Sequence, residues 1–336
     1  MELTEVQELQ KVQYCFHYGN ISCPKEVRPV AVYIILYVFA AASVMLTIFG
    51  NLVVIISISH FKQLHTPTNL LVLSLAVADF LVGLIVMPFT IIQSIETCWY
   101  FGDIFCYLHS VFYLVLTSAS ISSLVFIAID RYFAVCYPFL YTAKITIPVT
   151  WGVIGLSWFL SVFYTWAILY FRGNADVDPC PGDCVFVLNL TWGTTDLVCS
   201  FIMPVSLMVT LYTKIIIIAK RHAKAISVQQ RVQLHNNMPP LKKSEAKASK
   251  TLGIVVLVFL LCWLPFYICT ILNQFISYPV PSFVFCACLW LAFLNSGINP
   301  IIYALFYPWF RKSFRFLVTF KICSHGSSLF KLLNES

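Results

Sequence analysis

An all-α bundle that crosses a membrane seven times is the fold this sequence predicts, on three observations. Hydrophobic side chains make up 60% of the 336 residues and charged ones only 10%. An ordinary soluble domain is about a quarter charged, so this chain cannot clothe a globular surface in polar groups. Seven stretches are apolar over the roughly 20 residues that a helix needs to cross about 30 Å of hydrocarbon. The alternating segments of about ten residues that mark an outer-membrane barrel are absent. Lipid is therefore the solvent, which excludes a cytosolic enzyme, a disordered regulator and a nucleic-acid-binding domain. The net charge of +7 then bears on topology, since the basic residues of membrane proteins collect on the cytoplasmic side.

The spans are expected near 30–59, 67–93, 103–135, 147–171, 191–219, 247–275 and 282–305. The runs 30–47 and 251–265 carry no charge, whereas the third and fifth spans contain acids. Residues 1–29 form an outer tail, 30–305 the bundle, and 306–336 a short amphipathic eighth helix and an inner tail. Within 308–317, Trp309, Phe310, Phe314 and Leu317 share one helical face and Arg311, Lys312 and Arg315 lie off it. Such a helix lies along the inner leaflet. Cys323 just beyond it is a palmitoylation candidate, with an unmodified thiol as the alternative. The connection 220–246 is basic and polar and is broken by Pro239 and Pro240, with helices expected to extend past the bilayer at each end. No internal repeat is found, which counts against an inverted-repeat transporter.

Orientation follows from charge. Of 21 Lys and Arg, only Lys11, Lys25, Arg28 and Arg172 precede the first span or sit in even-numbered loops; the other seventeen lie opposite. Glu2, Glu5, Glu8, Glu26, Glu96, Asp103, Asp176, Asp178 and Asp183 all fall on the first side. The N-terminus is therefore expected outside, with the first span as an uncleaved signal anchor because the first 29 residues are polar. Two sequons, at Asn20 and Asn189, fall on that side and are glycosylation candidates. Six cysteines, Cys15, Cys23, Cys98, Cys106, Cys180 and Cys184, also fall on that side and become disulfide candidates in oxidising surroundings, with fifteen possible connectivities. Cys136, Cys199, Cys262, Cys269, Cys286 and Cys288 sit in or near spans and read as small apolar packing residues.

Polar groups inside spans are costly, at about 2.5–3.5 kcal/mol for an ionised one, and so are functional candidates. Asp79 lies midway along the second span, Ser120 centrally in the third, and Asn295, Ser296 and Asn299 along one side of the seventh. Their oxygens suit a sodium ion; a hydrogen-bond network without an ion is the alternative. Asp130-Arg131-Tyr132 ends the third span at the inner face, and Glu245 at the foot of the sixth offers Arg131 a second carboxylate. A charge able to exchange partners between helices is a switch candidate.

These signatures resemble the rhodopsin-like G-protein-coupled receptors: Gly50-Asn51, LAVAD ending at Asp79, DRY at 130–132, CWLP at 262–265 and NSGINPIIY at 295–303. The stretch 295–310 resembles the trace amine-associated receptors in particular, and within them the fish members. The resemblance implies that Asp130 and Glu245 hold Arg131 until a heterotrimeric G protein is engaged, and that Tyr212 and Tyr303 swing inward in support. It implies a repacking core of Ile121, Pro204 and Phe259 below Trp263, and a sodium site of Asp79, Ser120, Asn295 and Asn299. Because the second outer loop has CPGDC, the resemblance implies the pairs Cys106–Cys184 and Cys23–Cys180, leaving Cys15 and Cys98 unassigned. An olfactory role in the plasma membrane, a stimulatory-class G protein and rising cyclic AMP are further implications.

One position departs from the pattern. Most relatives of this kind carry an Asp seventeen residues before the Asp of DRY, as the ammonium partner; here that residue is Tyr113. The fifth span supplies a substitute. Asp196 stands eight residues before Pro204, with Ser200 four residues on and on the same face, an arrangement that a subset of fish trace amine receptors resembles. Helical spacing then suggests a box of Tyr113, Leu114, Thr117 and Ser120 on the third span, Trp263, Phe266, Tyr267 and Thr270 on the sixth, and Phe285, Leu289 and Phe293 on the seventh. Rings attract cations at about 0.5–2 kcal/mol each. The expected ligand is a small monoamine with its ammonium on Asp196 and its apolar body towards Tyr113 and Phe293. The rival is a peptide or lipid ligand that does not touch Asp196. A retinal receptor is excluded because the seventh span has no Lys, and no enzyme motif such as HExxH or GxSxG appears.

Overall fold

A computed structural model of the chain describes residues 13–16, 22–171, 180–184, 188–232, 243–276, 280–323, 327–329 and 332. Seven helices among them are long and apolar enough to cross a membrane: Val30–His60, Pro67–Glu96, Asp103–Cys136, Ile147–Tyr170, Leu190–Ile218, Gly253–Gln274 and Ser282–Phe306. The fifth runs on to Val232 and the sixth begins at Lys243, so both extend beyond the hydrocarbon as the sequence suggests.

The first span shows how the bundle distributes its surfaces. Ala40, Ser43, Thr47, Asn51, Val54, Ser57 and Ile58 are its buried residues, spaced at three and four so that they form one stripe. The stripe is small and polar, while large apolar side chains such as Ile34, Ile35 and Val38 face outward. Lipid offers no hydrophobic drive for helices to associate, so small residues that let backbones approach take that role. Gly50 meets this need: a Cβ there would come within 2.7 Å of Pro300 on the seventh span. Asn51 then donates to the Thr47 carbonyl at 2.9 Å and the Ser296 carbonyl at 3.0 Å, tying the first span to the seventh. The third span is the central post, with Leu116, Ser120, Ile121, Leu124, Ile127 and Arg131 all buried.

Two spans contain a turn that hydropathy does not predict. Val82–Val86 in the second and Leu197–Ile202 in the fifth are π-helical. Each lies just before a proline, Pro88 and Pro204. A proline ring clashes with the carbonyl four residues back and donates no N–H, and a widened turn moves those carbonyls, Leu84 and Ser200, aside.

On the outer side Gln13–Tyr14 pairs antiparallel with Pro24–Lys25, a two-residue ribbon not foreseen. Three disulfides staple it and the loops: Cys15–Cys98, Cys23–Cys180 and Cys106–Cys184. The last two are the pairs that the resemblance implies; the first joins the two cysteines left unassigned. Lys25 sits 2.7 Å from Glu96, and this hydrogen bond raises its ammonium above the usual lysine range. On the inner side the amphipathic helix runs Pro308–Val318. Trp309 and Phe310 are buried, Phe314 is exposed, and Arg311 donates to the carbonyls of Ala304 and Leu305.

Candidate ligand-binding site

A cavity of about 560 Å³ opens between the outer halves of the third to seventh spans. Of the residues expected there, Tyr113, Leu114, Thr117, Asp196, Ser200, Trp263, Phe266 and Tyr267 line it, with Thr270 and Phe285. Tyr267 stacks on Phe201 at 4.3 Å, Trp263 meets Phe266 edge-on at 5.9 Å, and Phe266 lies 5.4 Å from Phe285. The wall is thus a set of rings that fix one another.

Asp196 is the acid of this cavity. It ends the regular first turns of the fifth span, immediately before the widened turn Leu197–Ile202. The extra residue in that turn leaves Asp196 about 100° around the axis from where an unbroken helix counted back from Pro204 would put it. Its Oδ1 accepts two hydrogen bonds, from Ser200 Oγ at 2.8 Å and from the Tyr164 hydroxyl at 3.0 Å. Its Oδ2 accepts none among the described residues, and no basic side chain there pairs with it. A carboxylate among rings with one oxygen left over attracts a donor that carries positive charge.

Tyr164 and Gln274 were missed by sequence reasoning. Tyr164 comes from the fourth span, which holds no acid or base, but a buried tyrosine hydroxyl needs a partner, and that need was the available signal. Gln274 lies against Gly193, where a Cβ would collide with its side chain, and its amide reaches the carbonyls of Leu188 and Asn189, each at 3.4 Å. It roofs the cavity between the sixth and fifth spans.

Three expected wall residues are elsewhere: Ser120 lies deeper, on Asp79, and two belong to the seventh span. Phe293 and Leu289 do not line the cavity; they pack with Val86, Met87, Ile91 and Leu116 in a separate cluster behind Tyr113. Phe293 meets the Tyr113 ring edge-on at 6.1 Å, and the adjoining crevice has only about 10 Å³. The cause is helical drift: each step of four residues turns the face by about 40°, so eight residues beyond Phe285 the seventh span faces the second. Asn189 is also not a free loop asparagine. It caps the fifth span, its Oδ1 accepting from Trp192 N at 3.0 Å, and it lines the cavity. Asn20 lies outside the described residues.

Below the cavity is the polar core. Asp79 Oδ1 accepts from Ser120 at 3.0 Å and Ser296 at 2.8 Å, and Oδ2 from Asn299 at 2.8 Å. The side-chain oxygens of Asn51, Asn295 and Asn299 are buried with no donor among the described residues. Oxygens left without donors beside a carboxylate suit a hard cation such as sodium, so the residues fit the ion that the resemblance implies.

At the inner end Asp130 holds Arg131, whose Nε donates to Oδ2 at 2.9 Å. Thr68 donates to the same carboxylate at 2.7 Å and Tyr141 at 2.9 Å, and the guanidinium also reaches Thr68. These two partners were not foreseen; the side chain of Glu245, which was, lies outside the described residues. Tyr212 and Tyr303 have buried hydroxyls without partners among the described residues. Burial pushes the phenol of Tyr307, just past the seventh span, up to about 12, so it stays neutral near Arg131. Ile121, Pro204 and Phe259 are buried in the layer between, with Phe259 6.1 Å from Trp263.

That layer packs the bundle shut beneath the cavity. Among the described residues these buried side chains separate the cavity from the inner face, an arrangement that suits a membrane receptor of the seven-helix class. The family model described as 7 transmembrane receptor (rhodopsin family) matches residues 50–303. Trace amine-associated receptor 13c of Danio rerio is 45% identical over 329 residues, covering 96% of both chains. Trace amine-associated receptor 4 of Mus musculus is 43% identical over 95% of this chain and 94% of its own. Trace amine-associated receptor 2 of Homo sapiens is 43% identical over 94% and 91%. The chain belongs to the rhodopsin family of seven-transmembrane receptors and, within it, to the trace amine-associated receptors. It is therefore a multi-pass plasma-membrane G-protein-coupled receptor, with a small-molecule ligand and a heterotrimeric G protein as partners, and not an enzyme.

Proposed function

We propose that this receptor senses small, volatile amines, with the ammonium held by Asp196 and the apolar body among Tyr113, Phe266 and Tyr267. The N-terminus faces outside, the role is olfactory, and the coupled G protein is of the stimulatory class, raising cyclic AMP. The observation that carries the reading is the Asp196 carboxylate, which faces a ring-lined cavity with one oxygen braced and the other without a hydrogen bond among the described residues. The names of the relatives support an amine as the ligand class. A micromolar ligand needs about 8 kcal/mol, and a charge-assisted hydrogen bond supplies only about 1.5–3. The rings must therefore contribute much of the affinity.

In the same reading Asp79, Ser120, Asn295 and Asn299 hold a sodium ion that favours the resting state, and Arg131 is released from Asp130 on activation. The experiment is a cyclic AMP reporter screen of volatile mono- and diamines on the receptor and on Asp196→Ala and Asp196→Glu. The Glu variant should keep part of the response and the Ala variant lose it. Full amine potency in the Ala variant would point instead to a ligand, peptide or lipid, that is anchored elsewhere.

A further inference from the structure

Outside the ligand cavity, one pair of free thiols joins neighbouring spans. Cys269 of the sixth and Cys288 of the seventh have their sulfurs 3.6 Å apart, in thiol-to-thiol contact. Both are free thiols, and among the described residues no other two free sulfurs are hydrogen-bonded. Each lies roughly 8–9 Å inside the outer end of its span, at about 1.5 Å per residue. That depth is in the outer leaflet if the N-terminus faces outside, on the oxidising side of the membrane.

We propose that Cys269 and Cys288 form an oxidisable dithiol, which a peroxide converts to a disulfide between the sixth and seventh spans. One sulfur, having lost its proton, attacks a peroxide oxygen. The O–O bond breaks, leaving a sulfenic acid and a hydroxide that takes up one proton to become water. The second sulfur then displaces the sulfenic hydroxyl, which leaves as a second water while the S–S bond forms. Two thiols give up two electrons and one hydrogen peroxide accepts them, so no other reactant is required. The outer disulfides are already oxidised, and Cys199, exposed and alone among the described residues, has no neighbour with which to close.

The position gives the bond a consequence. Pro265 lies inside the sixth helix, where a missing backbone hydrogen bond makes a natural bend. Cys269 is one turn outward of it and Trp263 just inward. Thr270, next to Cys269, and Phe285, one turn from Cys288, line the cavity. Oxidation would pin the outer limb of the sixth span to the seventh and keep it from closing on a ligand. This second half rests on the receptor reading; the cross-link does not.

The test uses full-length receptor in cells treated with hydrogen peroxide, alkylated without reduction and peptide-mapped by mass spectrometry. A peroxide-dependent peptide pair joining Cys269 to Cys288 is expected, and it is absent from Cys288→Ser. In the cyclic AMP reporter, peroxide should lower the maximal amine response of the wild type about threefold while sparing Cys288→Ser and Cys269→Ala. Recovery of both cysteines as alkylated thiols after peroxide overturns the proposal, as does a disulfide from either to another cysteine. An equal loss of response in Cys288→Ser overturns the signalling half. A reporter silent to every amine before oxidation faults the ligand reading, and the peptide map still decides the dithiol.

Discussion

Two carboxylates inside the bundle, Asp79 in the polar core and Asp196 in the outer cavity, are dressed differently. Asp79 is fully buried and takes three hydrogen bonds spread over both oxygens. Asp196 takes two, both on one oxygen. Removing a carboxylate from water costs several kcal/mol, and three charge-assisted hydrogen bonds of about 1.5–3 kcal/mol each largely offset that at Asp79. At Asp196 the offset is incomplete by one oxygen, on the side where the cavity lies. The contrast teaches that two acids inside one bundle differ in the arrangement of their donors as well as in burial, and the amine reading rests on that arrangement at Asp196.

Removing each acid separates the two roles most sharply. Asp196→Ala should lower amine potency about 100-fold or more, as expected when a buried charge loses its partner, with surface expression unchanged in an epitope-tag assay. Tyr164→Phe should cost about 10-fold, because it removes one charge-assisted hydrogen bond that orients the carboxylate. Combined with Asp196→Ala it should add almost nothing, and additive losses in that double-mutant cycle would break the link between the two residues.

Asp79→Asn should shift amine potency by no more than about threefold while abolishing its response to replacing sodium with choline. A loss as large as that of Asp196→Ala would erase the distinction between the two acids. The smallest effect is expected at Phe293→Leu, a change within a packed cluster worth about 1 kcal/mol. Potency should stay within about twofold of wild type while thermal stability in detergent falls slightly, and a large loss of potency would put Phe293 back in the ligand site.

The bundle was legible because hydropathy reports a one-dimensional property, the length of chain that lipid can solvate. All seven spans fall within a few residues of where the apolar runs put them. Asp196 and Asp79 were legible for the same reason, as acids where lipid should forbid them. What escaped depends on rotation and on partners. Leu289 and Phe293 share helical spacing with Phe285, yet accumulated drift turns them towards the second span. The widened turns before Pro88 and Pro204 are absent at Pro265 and Pro300, which lie inside regular helix, so a proline alone does not announce one. Tyr164, Thr68 and Tyr141 act across spans distant in sequence, and no local pattern marks them. Nor does spacing pair Cys15 with Cys98, 83 positions apart.

The wide turn in the fifth span acts as a length adjuster with an angular output. Tightening it to an ordinary coil with its length unchanged would swing everything outward of it by about 100° around the axis, leaving the inner half in place. A charge can thus be re-aimed around the bundle by rewinding this one turn, without disturbing the machinery that reports to the cell.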